Sequence, residues 1–408
     1  MKKEISRVLR IIAVAGTAAA ATLTSPDTLA SEESSLEFSG FARVIAGYLD
    51  TDQAYFEGYE DELTFTEKSL VGFQADYAVT DEISLSGQLL LHTDSEHQSG
   101  LEWLYLSYDP TPDWQLKLGR LRTPYLKYSD VFDVGYAYPW ISAPRQLYGS
   151  YLFFPRYEGA NLRYRFNLSE VYIDVEAYYG QFSDEIDANG AKFNIDANDM
   201  YGGIVEVNYQ GWQLRGASFL VDKIKASAEG IETLSAALAQ AGFTDMANFF
   251  TINGSTEAYI LGLTYDSLDW VMSAEYVDVS TSITILAGIE NYYFTVGRYF
   301  DEYQFLVTYA RANQGLTFFE NTIPVGVNPQ LDLLYNGIEE VIAQFPTDEL
   351  NSVTLTGRWD YRPNMAFKAE VSFLNGYPGK SSMFELKADS ESFDRKAILY
   401  QFGVEWVF

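Results

Sequence analysis

The chain contains no cysteine and only two histidines, His92 and His97. Without a thiol there is no disulfide scaffold, no thiolate metal site and no cysteine nucleophile. Two histidines leave few options for general acid–base chemistry. Bases are also scarce: 27 Lys and Arg stand against 57 Asp and Glu, a net charge of −30. That balance argues against nucleic acid as a partner. Past the N-terminus, no run reaches the roughly 20 apolar residues that a membrane-spanning helix needs.

The N-terminus has a pattern of its own. "MKKEISRVLR" is basic, "IIAVAGTAAAATL" is a short apolar run, and Thr28–Ala30 ends on small residues before a polar start at Ser31. This three-part form predicts a secretory signal peptide over residues 1–30 and an exported mature chain over 31–408. Removal of that segment takes away Lys2, Lys3, Arg7 and Arg10 with Glu4 and Asp27, leaving 23 basic and 55 acidic residues and a net charge of −32. An exported chain without cysteine must hold together by packing and hydrogen bonds alone.

What is abundant is aromatic. Tyr and Phe number 31 and 27, and aromatics make up 16% of the chain. A soluble exported domain has no need of so many, whereas a membrane barrel places them in girdles at its two water interfaces. The alternation agrees. In "AILYQFGVEWVF", Ile398, Tyr400, Phe402, Val404, Trp406 and Phe408 share one face, and Gln401, Gly403 and Glu405 lie on the other. The same period of two recurs in "LEFSGFARVIAGYL", "WQLKLG", "NLRYRFNL", "WQLRG", "SVTLTGRWDY" and "MAFKAEVSF", each time with charge opposite the rings. Period two means strands. A soluble sandwich would turn the apolar face inward; a barrel in lipid turns it outward and keeps its charge in the lumen.

Connections alternate in length. Seven short ones fall near 80–82, 110–113, 168–170, 210–211, 266–269, 301–302 and 362–364. Eight long ones fall near 50–61, 94–100, 123–156, 183–199, 223–254, 280–290, 314–350 and 378–392. This rhythm predicts an all-β fold, a transmembrane antiparallel β-barrel of about 16 strands with both ends on the short-turn side. Apolar residues at helical spacing predict short helices within the long connections at Glu232–Phe250 and Leu331–Phe345. The stretch Thr123–Pro155 is the anomaly: too rich in proline for strands and too aromatic for a solvent loop. The acidic run Leu49–Leu63 lacks the spacing of a calcium-binding loop, so no metal or other cofactor is expected. His92 and His97 lie in or beside an exposed polar loop with Asp94, Ser95 and Ser99. Proximity there is a weak basis for a catalytic constellation, so no enzyme activity is expected.

These features together resemble the Gram-negative porins, specifically the sixteen-stranded general diffusion type. The sharp motifs are few: "GFARV" in the first strand, "LGRLR" closing the fifth, the long loop after it, and the terminal Phe408. The resemblance implies an outer-membrane homotrimer in contact with lipid and lipopolysaccharide, inserted by the barrel-assembly machinery through a C-terminal signal that includes Trp406 and Phe408. It implies passive diffusion of ions and small hydrophilic solutes past an inward-folded third loop, here residues 123–156. Wall bases would face loop acids across the passage: Arg43, Arg120, Arg163 and Arg165 against Asp130 and Asp133. Opposed charges would bias ion choice. Two departures stand out. The acidic loop motif with paired glycines typical of enteric porins is absent. Strict alternation also turns Arg120 and Arg122 toward lipid, so a bulge at Gly119 is expected to redirect them. Two other readings stay open: a sugar-selective channel in which the loop's rings stack on sugars, and a structural or adhesive barrel that conducts little.

Overall fold

The computed structural model describes residues 36–94, 99–149, 154–188, 191–317, 319–345, 347–390 and 392–408. The expected signal peptide and His97 lie outside the described residues. Sixteen strands form the barrel. They are β1 (Leu36–Leu49), β2 (Leu70–Ala78), β3 (Ile83–His92), β4 (Gly100–Thr111), β5 (Trp114–Arg122), β6 (Arg156–Leu168), β7 (Val171–Ala188) and β8 (Ala191–Tyr209). There follow β9 (Trp212–Ser227), β10 (Asn253–Asp266), β11 (Trp270–Thr281), β12 (Leu286–Phe300), β13 (Tyr303–Leu316), β14 (Glu349–Arg362), β15 (Met365–Gly376) and β16 (Lys396–Val407). Each pairs antiparallel with its neighbours in chain order. β1 meets β16 in register from Phe41↔Val407 to Leu49↔Leu399, which closes the ring. A closed ring leaves no strand edge, so its backbone groups are satisfied without water.

Side chains divide by face as the alternation requires. Leu104, Leu118, Leu162, Leu214, Leu261, Phe294, Val307, Leu355 and Phe402 are all exposed on the outside. An apolar belt of this extent would be unstable in water and matches a lipid-facing surface. Rings bound the belt on both sides. Tyr201 and Tyr209 mark its two borders on β8, about 26 Å of chain apart at roughly 3.3 Å per residue. Strand tilt brings that near the apolar height of about 25 Å seen in outer-membrane barrels. The inward face is polar and well bonded, with buried Gln88, Ser107, Thr295, Thr308, Thr356 and Gln401. No helix among the described residues is long and apolar enough to cross a membrane.

All seven expected short turns are present. One is closed by Gln210 and Gly211, both at positive φ (47° and 83°), the conformation a two-residue hairpin favours. Two expected long connections are not long. β7 and β8 run on to Ala188 and from Ala191, and β11 and β12 leave only 282–285 between them. Polar residues in both stretches obscured strands that extend past the apolar belt. The expected helices are there: α2 (Glu229–Gln240) and α3 (Thr244–Phe249) in one loop, α4 (Pro329–Gln344) in another. They pack together through Leu238, Phe249, Phe250 and Ile338 over the long-loop mouth. Beside the barrel seam, Ala54–Tyr55 pairs with Glu385–Leu386 as a small separate sheet.

Candidate functional site

The segment after β5 enters the barrel rather than covering it. Its described residues contain two 3-10 turns, Ser129–Val131 and Gly135–Ala137, and one short helix, α1 (Arg145–Tyr148). Its prolines lack the N–H that a strand ladder needs, so its backbone groups take other partners. The wall supplies them. Arg215 on β9 donates to the carbonyls of Pro124 and Tyr125, both at 2.6 Å. Glu275 on β11 accepts from the Lys127 amide at 2.8 Å and the Tyr148 hydroxyl at 2.7 Å. Trp140 Nε1 donates to Thr308 on β13 at 2.9 Å, and Gln146 to Ser352 on β14 at 2.8 Å. The Tyr136 hydroxyl donates to the carbonyl of Pro363 at 2.8 Å, in the short turn between β14 and β15. The segment therefore dips through the lumen to its short-turn end. The inward-folded third loop is a fact of the fold.

Its rings face the wall. Trp140 is 1% exposed, Tyr138 2% and Tyr125 4%, and Trp140 meets Tyr293 edge to face. Burial raises the Tyr138 phenol to about 12, so it stays neutral, accepting from Arg43 and donating to the Phe132 carbonyl. Burial also pulls the Lys127 ammonium below its ordinary value, against the opposing pull of Glu275. Irregular backbone at membrane depth is tolerable only when clothed in this way.

The expected set of opposed charges is not assembled. Arg43 does lie on the inward face of β1, but it is buried beneath the loop: it pairs with Glu405 at 3.0 Å and donates to Tyr138 and to the Ile141 carbonyl. Arg120 remains on the outward face beside exposed Leu104, in an exposed ion pair with Glu158 at 3.1 Å. The bulge expected at Gly119 is absent. Registers run unbroken through it on both sides, although its φ of 143° bends the chain and a Cβ there would lie 2.4 Å from the Leu104 carbonyl. The extra residue is instead Glu102 on β4, where pairing steps from Gln88↔Trp103 to Leu89↔Leu101. Glu102 and Asp133 both bind Arg122, which also donates to the Ser129 carbonyl. Asp133 is thus tied to the wall and does not face open lumen, whereas Asp130 is exposed.

Arg163 and Arg165 lie on the inward face of β6, toward its short-turn end rather than next to the loop. Arg165 pairs with Asp174 at 2.7 Å. In the same region the inward faces of β4–β8 carry Asp109, Lys117, Glu176 and Glu206. They are bonded by neighbours such as Gln115 to Asp109 at 2.8 Å, Asn161 to Glu176 at 2.5 Å and Gln213 to Glu206 at 2.8 Å. Asp130 lies within electrostatic reach of Glu176. Trp406 and Phe408 are where the C-terminal pattern puts them, on the outer face, with the Phe408 amide and carbonyl bonded to Gly40. His92 stands beside Asp94, its Nδ1 3.9 Å from the carboxylate. The described residues contain no cluster of three or more possible metal ligands.

Sequence reasoning missed the residues that hold the loop: Arg215, Glu275, Arg358, Lys368, Glu370 and Glu405. Alternation did place Lys368, Glu370 and Glu405 opposite the aromatic face. What it lacked was any sign that buried loop carbonyls would meet them.

No family model matches the chain, and no curated protein sequence matches it. Solved structures do. An anion-selective porin from Comamonas acidovorans is similar at a TM-score of 0.56, with 12% identity over 92% of this chain and 100% of that one. The outer membrane channel DcaP of Acinetobacter baumannii gives 0.54, with 12% identity over 94% and 100%. Salmonella typhi OmpF in complex with Daunomycin gives 0.53, with 12% identity over 91% and 97%. At such identities the likeness is one of fold, and the fold is a porin-like closed barrel of sixteen strands.

Proposed function

We propose that this chain is an outer-membrane porin that passes ions and small hydrophilic solutes by passive diffusion, without catalysis. The observation that carries this is the division of the lumen. Most of the loop's bonds to the wall go to β9–β16 and β1, while the inward faces of β4–β8 toward the short-turn end keep charged, hydrogen-bonded side chains. Polar lining along a closed barrel serves solutes that travel with water. The leader at residues 1–30, assembly through the strand ending in Trp406 and Phe408, a homotrimer, and contact with lipopolysaccharide belong to the same reading.

The proposal extends to ion preference. Toward the short-turn end, Asp109, Glu176 and Glu206, with Asp130 on the loop, stand beside Lys117 and Arg163, and Arg165 is matched by Asp174, so the acids outnumber the bases and cations are favoured. The sugar-stacking alternative loses its main support, since Trp140, Tyr138 and Tyr125 are packed on the wall. Planar-bilayer recording from the refolded protein tests the reading. Discrete open steps with a reversal potential on the cation side are expected in a potassium chloride gradient. Folded protein without steps would leave the non-conducting barrel as the better account.

A further inference from the structure

Several carbonyls of the inward loop converge on a few cations of the wall. Lys368 on β15 is wholly buried. Its Nζ donates to Gly135, Tyr138 and Trp140 carbonyls at 2.7, 2.8 and 2.8 Å. It also pairs with Glu405 on β16. Arg43 flanks the same carboxylate from β1 and reaches the Ile141 carbonyl. Arg358 on β14 donates to the Tyr136 and Tyr138 carbonyls, both at 3.0 Å. Backbone from 135 to 141 has no strand or long helix to use its oxygens, and buried carbonyls left unpaired are costly. Gly135 allows the approach: a Cβ there would sit 2.3 Å from Glu405 Oε1.

We propose that Lys368 is a positioning residue that fixes the loop against the β14–β16 wall and thereby sets the width of the open passage. An ammonium suits this place because its three donors can point to three separate carbonyls. It reads backbone rather than side chains, so the loop is held by its path. Barrel closure does not depend on it, since the ladder of β15 with β16 is unbroken and that with β14 shifts only between Asp360 and Arg362. Lys368 is therefore expected to govern where the loop lies, not whether the barrel forms. The inference rests on the diffusion reading for its consequence, but not for its geometry.

The test uses Lys368→Met in the full chain, with two readouts. Because the chain has no cysteine, Ala137→Cys in the loop and Leu268→Cys in a short turn, the latter 96% exposed, can carry a unique spin-label pair. The parent should give one narrow distance distribution, and Lys368→Met a broad or shifted one with barrel strand content unchanged. In bilayers, Lys368→Met should raise mean conductance at least about twofold, with added open-channel noise, as the lumen side regains volume. Should Lys368→Met fail to fold, Gly135→Ala keeps every charge and pushes the loop off Glu405, and the same two changes are expected. A narrow, unshifted distance in whichever variant folds overturns the proposal. A broadened distance in a protein that never conducts would instead sustain the clamp and overturn the diffusion reading.

Discussion

The inward charges of β9–β16 with β1, and those of the short-turn half of β4–β8, belong to one ring yet meet different surroundings. On the first wall Arg43, Arg215, Arg358 and Lys368 are covered by the loop and satisfied by its carbonyls. On the second, Arg165 pairs with Asp174 and carboxylates are bonded by amide side chains. Buried ions need complete partners, because desolvation is expensive and the surrounding dielectric is low. Ions facing a water-filled space need none and are screened. The same inward-facing arginine can thus be a structural tie on one wall and a determinant of the local field on the other. The loop decides which.

The widest contrast should come from breaking a charge set on the covered wall. Glu405→Leu would leave Arg43 and Lys368 buried with like charges and no carboxylate between them. A loss of about 3–5 kcal/mol is expected, read as a lower urea midpoint for unfolding from detergent micelles. A loss under about 1 kcal/mol would mean that water reaches the cluster and that the two walls are alike. A smaller effect belongs to Asp348, just before β14. It is buried and accepts from Ser381 and from the Met383 amide. Burial raises its carboxyl above the ordinary range. The folded state then holds the proton more tightly than the unfolded one, so stability is full below the unfolded value near 3.9 and declines as pH rises through the folded value. Thermal unfolding between pH 4 and 7 should show this slope in the parent and not in Asp348→Asn.

On the open wall, effects should be seen in selectivity rather than stability. A unit charge about 8 Å from a passing ion in water is worth about 0.5 kcal/mol, or roughly a twofold change in permeability ratio. Asp130→Asn should therefore move the reversal potential toward anions by about that factor at 0.1 M salt. It should do so much less at 1 M, where the screening length falls to about 3 Å. Asp133→Asn should shift it less, because Arg122 already faces that carboxylate. Equal shifts for the two would show that Asp133 also fronts the passage.

These differences mark how far the sequence could be read. Period-two patterns ending in "GVEWVF", the N-terminal pattern, the weight of aromatics and the alternation of short and long connections together pointed to a barrel of about sixteen strands with its apolar face outward. The aromatic, proline-rich stretch after β5 marked an irregular insert, and the resemblance to porins implied that it folds inward. Its partners were not legible. Lys368 looks like any lumen residue in "MAFKAEVSF", because nothing local shows that carbonyls from 135–140 will arrive there. Gly119 shows the converse. A bend and a bulge have the same signature in one strand, and only the pairing on both sides places the extra residue at Glu102 on β4.

Arg120 provides the smallest effect and the cleanest control on the comparison. The resemblance to porins groups it with the passage residues, yet it points away from both walls' inward faces and meets Glu158 in the open. An exposed pair of this kind contributes about 0–1 kcal/mol. Arg120→Gln should leave conductance and reversal potential at parent values, with a urea midpoint shifted only slightly. The outer face near the end of β5 would then be electrically separate from the lumen, as an apolar, low-dielectric wall requires. A reversal shift as large as that of Asp130→Asn would place Arg120 inside, and the inward and outward faces of β5 would have to exchange beyond Gly119.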